Sequence, residues 1–216
     1  MIDFKKSKKL FIDFDGVIVD SNKFKELAIK KSIFLLFGET KKNKDAIDYF
    51  NINAGISREK KLSLFFNENQ YFKILKYYND YCKNFFNKAK PTFGLIKFLK
   101  KIKFSSENLK IYVLSGGEKD EIEYFLIKNN LLFYFDEILA SSKSKIEHME
   151  EKQASKNDIF IGDSINDLKA SLKIGLKFIL IEEYRSLASF PKEDLIKKLV
   201  YLKTQNFESL ITECIL

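Results

Sequence analysis

The chain has 216 residues, 45% of them hydrophobic, and a formal net charge of +8. That length suits one compact α/β domain, or a core with a small insert, and it is long enough to bury a real core. No stretch approaches the roughly 18 uncharged apolar residues that a membrane span needs, so no membrane partner is expected. The lysines are scattered and only Arg58 and Arg185 are arginine. A solvated basic surface is therefore expected, not a nucleic-acid-binding stripe. A diffuse positive field still draws in a small anionic substrate. The start, MIDFKKSKKLFIDFDG, places lysines before an apolar run. Asp13 and Asp15 break that run and no small-residue cleavage site follows, so it is not read as a secretory signal. Cys82 and Cys214 have no disulfide or metal spacing and read as reduced thiols in a cytoplasmic protein.

In chain order, Lys9 to Asp13 is the first predicted strand. It delivers Asp13, Asp15 and Gly16 to its end. From Ser21 to Lys90 the pattern is helical and rich in Phe and Tyr, too long for a single crossover helix. Phe72, Leu75 and Tyr78, with Phe85 and Phe86, stand at helical spacing and are expected in its core. Pro91 and Gly94 mark a return to the sheet. Leu95, Phe98 and Leu99 open a helix, and Leu109 to Leu114 is the second strand. Ile122, Phe125 and Leu126 repeat the helical spacing before the short third strand, Glu137 to Ala140. Ile159 to Ile161 and Lys177 to Ile181 complete the set. Strands alternating with helices predict a doubly wound parallel sheet. The expected division is a Rossmann-like core from 1–20 and 91–216, with an α-helical insert over 21–90. The last thirty residues are amphipathic and carry no chemical signal.

Open α/β sheets bind ligands at the carboxyl ends of their strands. There this sequence places Asp13 and Asp15, then Ser115-Gly116-Gly117. Next come Lys143 and Lys145 in SSKSK, and then Asp163 and Asp167 in GDSIND. Four acids, a hydroxyl with two glycines, and a lysine converge on one edge. Each has a bland alternative: Ser115 in a turn, Asp167 as a helix cap. His148, the only histidine, reads as a surface residue and not as a ligand.

These motifs in this order, DFDG, SGG, the lysine and GDSIND, resemble the haloacid dehalogenase-like hydrolase superfamily. The subgroup is the one with a helical cap after the first strand, similar to phosphoglycolate phosphatases and β-phosphoglucomutases. The resemblance implies Mg²⁺-dependent hydrolysis of a small phosphate monoester. Asp13 would be nucleophile and metal ligand, and would carry an aspartyl-phosphate. Asp15 would lend a backbone carbonyl to the metal and act as general acid and base. Asp163 would be the third metal contact. Asp167 would bind metal-bound water or orient the lysine. Ser115 and the Gly116 N–H would bind phosphoryl oxygens, and Lys145 would neutralise the nucleophile. KIEHMEE reads as the helix that this lysine opens, which favours Lys145 over Lys143. AGISREKK resembles a cap stretch whose arginine reaches substrate, so Arg58 is a candidate beside the alternative of a packing arginine.

Asp15 speaks against a dehalogenase or a phosphonatase. Gly162–Asp163, where the mutases have an acidic pair, speaks against a phosphosugar mutase. The cap insert speaks against a receiver domain, and the complete acid set against an inactive phospho-ligand-binding module. Sugar phosphates, phosphoglycolate, amino-alcohol phosphates and nucleotide monophosphates all remain open as substrates, in a monomer or a homodimer.

Overall fold

The computed structural model describes residues 2–53, 56–106, 108–140, 143–185 and 199–215. Within them the strands are β1 (Ile2–Asp3), β2 (Lys9–Ile12), β3 (Lys110–Leu114), β4 (Glu137–Leu139), β5 (Ile159–Gly162), β6 (Lys177–Ile181), β7 (Leu202–Thr204) and β8 (Cys214–Ile215). The helices are α1 (Asn22–Phe37), α2 (Lys41–Ile52), α3 (Arg58–Leu62), α4 (Glu68–Phe86), α5 (Leu95–Ser105), α6 (Lys119–Lys128), α7 (Lys145–Glu151), α8 (Ile165–Ile174) and α9 (Phe207–Glu213). Among the described residues, no helix is long and apolar enough to cross a membrane.

Six strands form one all-parallel sheet in the order β4-β3-β2-β5-β6-β7. It is a doubly wound α/β sheet with helices on both faces. Each central strand is apolar on both sides, as burial under two helical layers requires. The period of two divides them cleanly. Leu10, Ile12, Ile111, Val113, Ile159 and Ile161 pack into the larger core with α5, α6 and the insert. Phe11, Tyr112, Leu114 and Phe160 face the other way, against Met149 of α7 and Leu168 of α8.

The chain runs outward from β2 to β3 and β4, then returns to build β5, β6 and β7 on the other side. The order therefore reverses at β2 and β5, and a crevice opens at their carboxyl ends. Register makes those ends level: Ile12 lies opposite both Val113 and Ile161. The Asp13 amide then donates to the Ile161 carbonyl at 2.9 Å. At the other end of these strands, buried Asp158 accepts from the amides of Lys8, Lys9 and Ser155 and from the Ser155 hydroxyl. That carboxylate locks β2 to β5 far from the crevice, a structural use of a buried acid.

Helices α1 to α4 lie between β2 and β3, and α1 packs against α2 and α4. In α4 the buried residues Ile74, Leu75, Tyr78, Cys82 and Phe86 form one stripe, and a capping box between Asn67 and Gln70 starts the helix. Phe72 departs from expectation. It is 51% exposed, because it lies outside the stripe that Leu75 and Tyr78 define. The way back to the sheet is pinned at Thr92, whose amide donates to Ile18 O at 3.0 Å and whose hydroxyl donates to Val17 O. Both cysteines are free thiols.

Candidate active site

The strand-end loops converge because their strands are neighbours. Asp13 follows β2, Ser115 follows β3, and Asp163 follows β5. Lys145 begins α7, and Ser144 caps that helix in a capping box with Glu147. Asp167 sits in the first turn of α8, where its Oδ2 accepts from the Ser164 amide at 3.1 Å and the Ser164 hydroxyl at 2.7 Å. The cap and the site are thus one feature, and a capping Asp need not be only a cap.

Lys145 Nζ donates to Asp13 Oδ1 at 2.6 Å and to Asp167 Oδ1 at 2.5 Å. All three side chains are almost fully buried. Burial works to lower the lysine's pKa, but the two carboxylates outweigh it and raise it, holding the ammonium charged. Lys143 instead pairs with exposed Glu151 on the surface. Oxygens of Asp13, Asp163 and Asp167 lie within 4.8 Å of one another. Burial, opposed by Lys145 but aided by Asp167 and Asp15, raises the Asp13 carboxyl to about 7. Burial and the charges of Asp13 and Asp167 push Asp163 well above the carboxylate range.

Asp15 is not part of that side-chain cluster. Its Oδ1 accepts from the Ser21 hydroxyl at 2.5 Å and pairs with Lys25 Nζ at 2.6 Å. Burial works to raise its pKa, but Lys25 and Ser21 prevail and lower it. Gly16 makes the turn that follows Asp15 possible. Its φ is +77°, and a Cβ there would meet Asn22 Nδ2 and Asp163 Oδ2 at 2.2 Å. Gly162 is similarly constrained, since a Cβ would lie 2.6 Å from Asp167 Cβ. An acidic side chain at that position has no room. Ser115 Oγ accepts from the Gly117 amide at 3.0 Å, and Ser115 and Gly116 both line the cavity.

The cavity, about 100 Å³, runs from these residues to the helical insert, which lends it Lys25, Phe50, Arg58, Lys61 and Tyr78. Arg58 is committed there. Its two terminal nitrogens grip both oxygens of Glu121, one also donates to Asn79 Oδ1, and the guanidinium lies 4.8 Å from the Tyr78 ring centre. It faces the site but its fork is filled by a carboxylate of α6. Glu121→Gln should destabilise the protein by about 3 kcal/mol, because it leaves a buried guanidinium without its counter-ion. Adding Arg58→Met should cost less than the sum of the two single changes, measured by urea unfolding.

Asn22, Lys25, Lys61 and Glu121 are site residues that sequence reading did not single out. Asn22 donates to Asp163 Oδ2 at 2.7 Å and to the Tyr184 carbonyl at 2.8 Å. Its only sequence signal is a polar run, Asp20 to Asn22, closing an apolar one. His148 is not the surface residue expected. It is buried, and its Nε2 meets the Ala140 carbonyl at 2.9 Å, which ties α7 to the end of β4.

The haloacid dehalogenase-like hydrolase family matches residues 10–181, and the chain belongs to that family. No curated protein matches it. Among solved structures, it is similar to a predicted phosphoglycolate phosphatase from Haemophilus somnus 129PT, 14% identical with a TM-score of 0.74, covering 96% of this chain and 98% of that one. A predicted phosphatase from Clostridium acetobutylicum is 20% identical at a TM-score of 0.70, covering 95% and 96%. CbbY from Rhodobacter sphaeroides, in complex with phosphate, is 12% identical at 0.72, covering 94% and 96%. At such identities the likeness is one of fold.

Proposed function

We propose that this hydrolase is a Mg²⁺-dependent phosphatase that cleaves a small phosphate monoester through an aspartyl-phosphate on Asp13. Residues 21–90 serve as a helical cap over a core built from 1–20 and 91–216. The observation that carries this reading is the buried cluster at the strand ends, where Lys145 bridges Asp13 and Asp167 beside Asp163. Burial raises the Asp13 and Asp163 carboxyls, a cost that a hard divalent cation relieves, and oxygen donors suit Mg²⁺. The residues therefore fit the metal. The Asp13 and Asp163 carboxylates and the Asp15 carbonyl would hold it, with Asp167 on its water. Bound there, Mg²⁺ would neutralise charge on the phosphoryl group.

Asp13 attacks phosphorus and displaces the alcohol in line. Lys145 offsets the negative charge that gathers on the transferring group. The Ser115 hydroxyl and the Gly116 N–H receive phosphoryl oxygens. Asp15 gives a proton to the leaving oxygen and later takes one from the attacking water. As arranged, Lys25 and Ser21 keep Asp15 ionised, which suits the second step. The first step requires the Lys25 pair to open. The crowding of Gly162 by Asp167 speaks against a mutase, whose pattern has an acid there.

The test is phosphate release from a panel of small phosphorylated metabolites, with Mg²⁺ and with EDTA. Release from one chemical class, lost in EDTA, is the expected result. Release that EDTA leaves intact, or none from any class, would contradict the reading.

A further inference from the structure

Among the described residues, four cations line the cavity, and three are matched. Lys25 pairs with Asp15, Arg58 with Glu121, and Lys145 with Asp13 and Asp167. Lys61 is the exception. It is 6% exposed and lines the same cavity. Its Nζ donates to the Phe50 carbonyl at 3.1 Å and stands 3.6 Å from the Phe50 ring centre. Among the described residues no carboxylate lies within ion-pair distance of it. An ammonium carries three donors, and a peptide carbonyl with an aromatic face does not neutralise a buried charge. Burial, with Arg58 and Lys25 nearby, pushes it down to about 7.

We infer that Lys61 receives a carboxylate on the unphosphorylated part of the substrate, which is therefore a short phosphorylated carboxylic acid. The phosphoryl half of this statement rests on the phosphatase reading; the carboxylate half does not. The strand-end acids and their metal account for one phosphoryl group. Lys61 stands on the insert side of the cavity, on α3, where the rest of the molecule must lie. One unmatched lysine balances a single negative charge. A second phosphate would leave an excess of negative charge buried, with Arg58 already taken by Glu121. The small cavity restricts the acid to a short carbon chain. Lys61 stands one helical turn after Arg58, so one short helix carries both the contact to α6 and the carboxylate receptor.

The test compares matched pairs: 2-phosphoglycolate with ethyl phosphate, and 3-phosphoglycerate with glycerol 3-phosphate. Hydrolysis by the wild-type enzyme with Mg²⁺ and calorimetric binding to Asp13→Asn are measured side by side. The carboxylated member should be favoured at least about tenfold in kcat/KM or affinity in one pair or both. Lys61→Gln should bring that ratio close to one. Lys61→Met, which conserves the aliphatic bulk, repeats the test if glutamine perturbs the fold. Equal treatment of both members by the wild type, or a preference that survives in both Lys61 variants, overturns the inference. Binding of neither member overturns it as well. Carboxylate-selective binding without hydrolysis would overturn the phosphatase reading and leave Lys61 in its role. Equal hydrolysis of both members would do the reverse.

Discussion

Asp13→Asn should fold as the wild type does and lose at least about 10⁴-fold in turnover, as expected when a nucleophile is removed. The fold should survive because this carboxylate is not what stabilises it. Burial raises Asp13 to about 7, so the folded chain holds its proton more tightly than the unfolded chain does at 3.8. The sign follows directly. Without metal, Asp13 contributes stability that grows as pH falls below about 7, is complete near 4, and is absent above 7. Asn has no such titration. Metal-free melting temperatures of wild type and Asp13→Asn, compared across that window, should differ in slope as a result. Lys145 keeps Asp167 as a partner in the variant, so no buried cation is orphaned.

Lys145→Met should behave differently, losing both stability and rate. The lysine is the one cation among the described residues that touches Asp13 and Asp167. Removing it leaves the buried Asp13 and Asp167 carboxylates without the cation that bridges them. Breaking a buried pair from one side costs about 3 kcal/mol, read by urea unfolding above pH 7 in EDTA. Saturating Mg²⁺ should recover part of that loss. Turnover should fall about 10³-fold even in Mg²⁺, because a positioned charge on the transferring group is lost. A variant with wild-type stability and rate would remove Lys145 from the account.

Five of the six strands of the sheet were legible because each is a short, largely apolar run rich in β-branched or aromatic residues. Leu202–Thr204 and the Ile2–Asp3 pairing with Cys214–Ile215 were not. Two or three residues carry no periodicity, and only pairing with a distant partner makes them strands. The acids at strand ends could be read because a parallel sheet fixes where its carboxyl ends lie. Lys145 could be told from Lys143 by the capped helix it opens.

What escaped the sequence was contact at long range. Nothing around Arg58 announces Glu121, and an isolated arginine offers the same pattern whether it grips a ligand or a neighbouring helix. Lys61 was one lysine among many until burial singled it out. Phe72 and His148 were misplaced for a related reason: spacing alone does not say which face of a helix meets the core. Asp15 and Asp163 show the same limit in electrostatic form. Both are acids at strand ends, yet Lys25 lowers one pKa while burial and neighbouring acids raise the other.

The central claim is that Asp13 accepts a phosphoryl group. Beryllium fluoride mimics that group on an aspartate and needs no knowledge of the substrate. Fluorine NMR of the wild-type protein with beryllium fluoride should show a bound signal that requires Mg²⁺ and is absent in Asp13→Asn. A bound signal that persists in Asp13→Asn, or none in the folded wild-type protein with Mg²⁺, would contradict it.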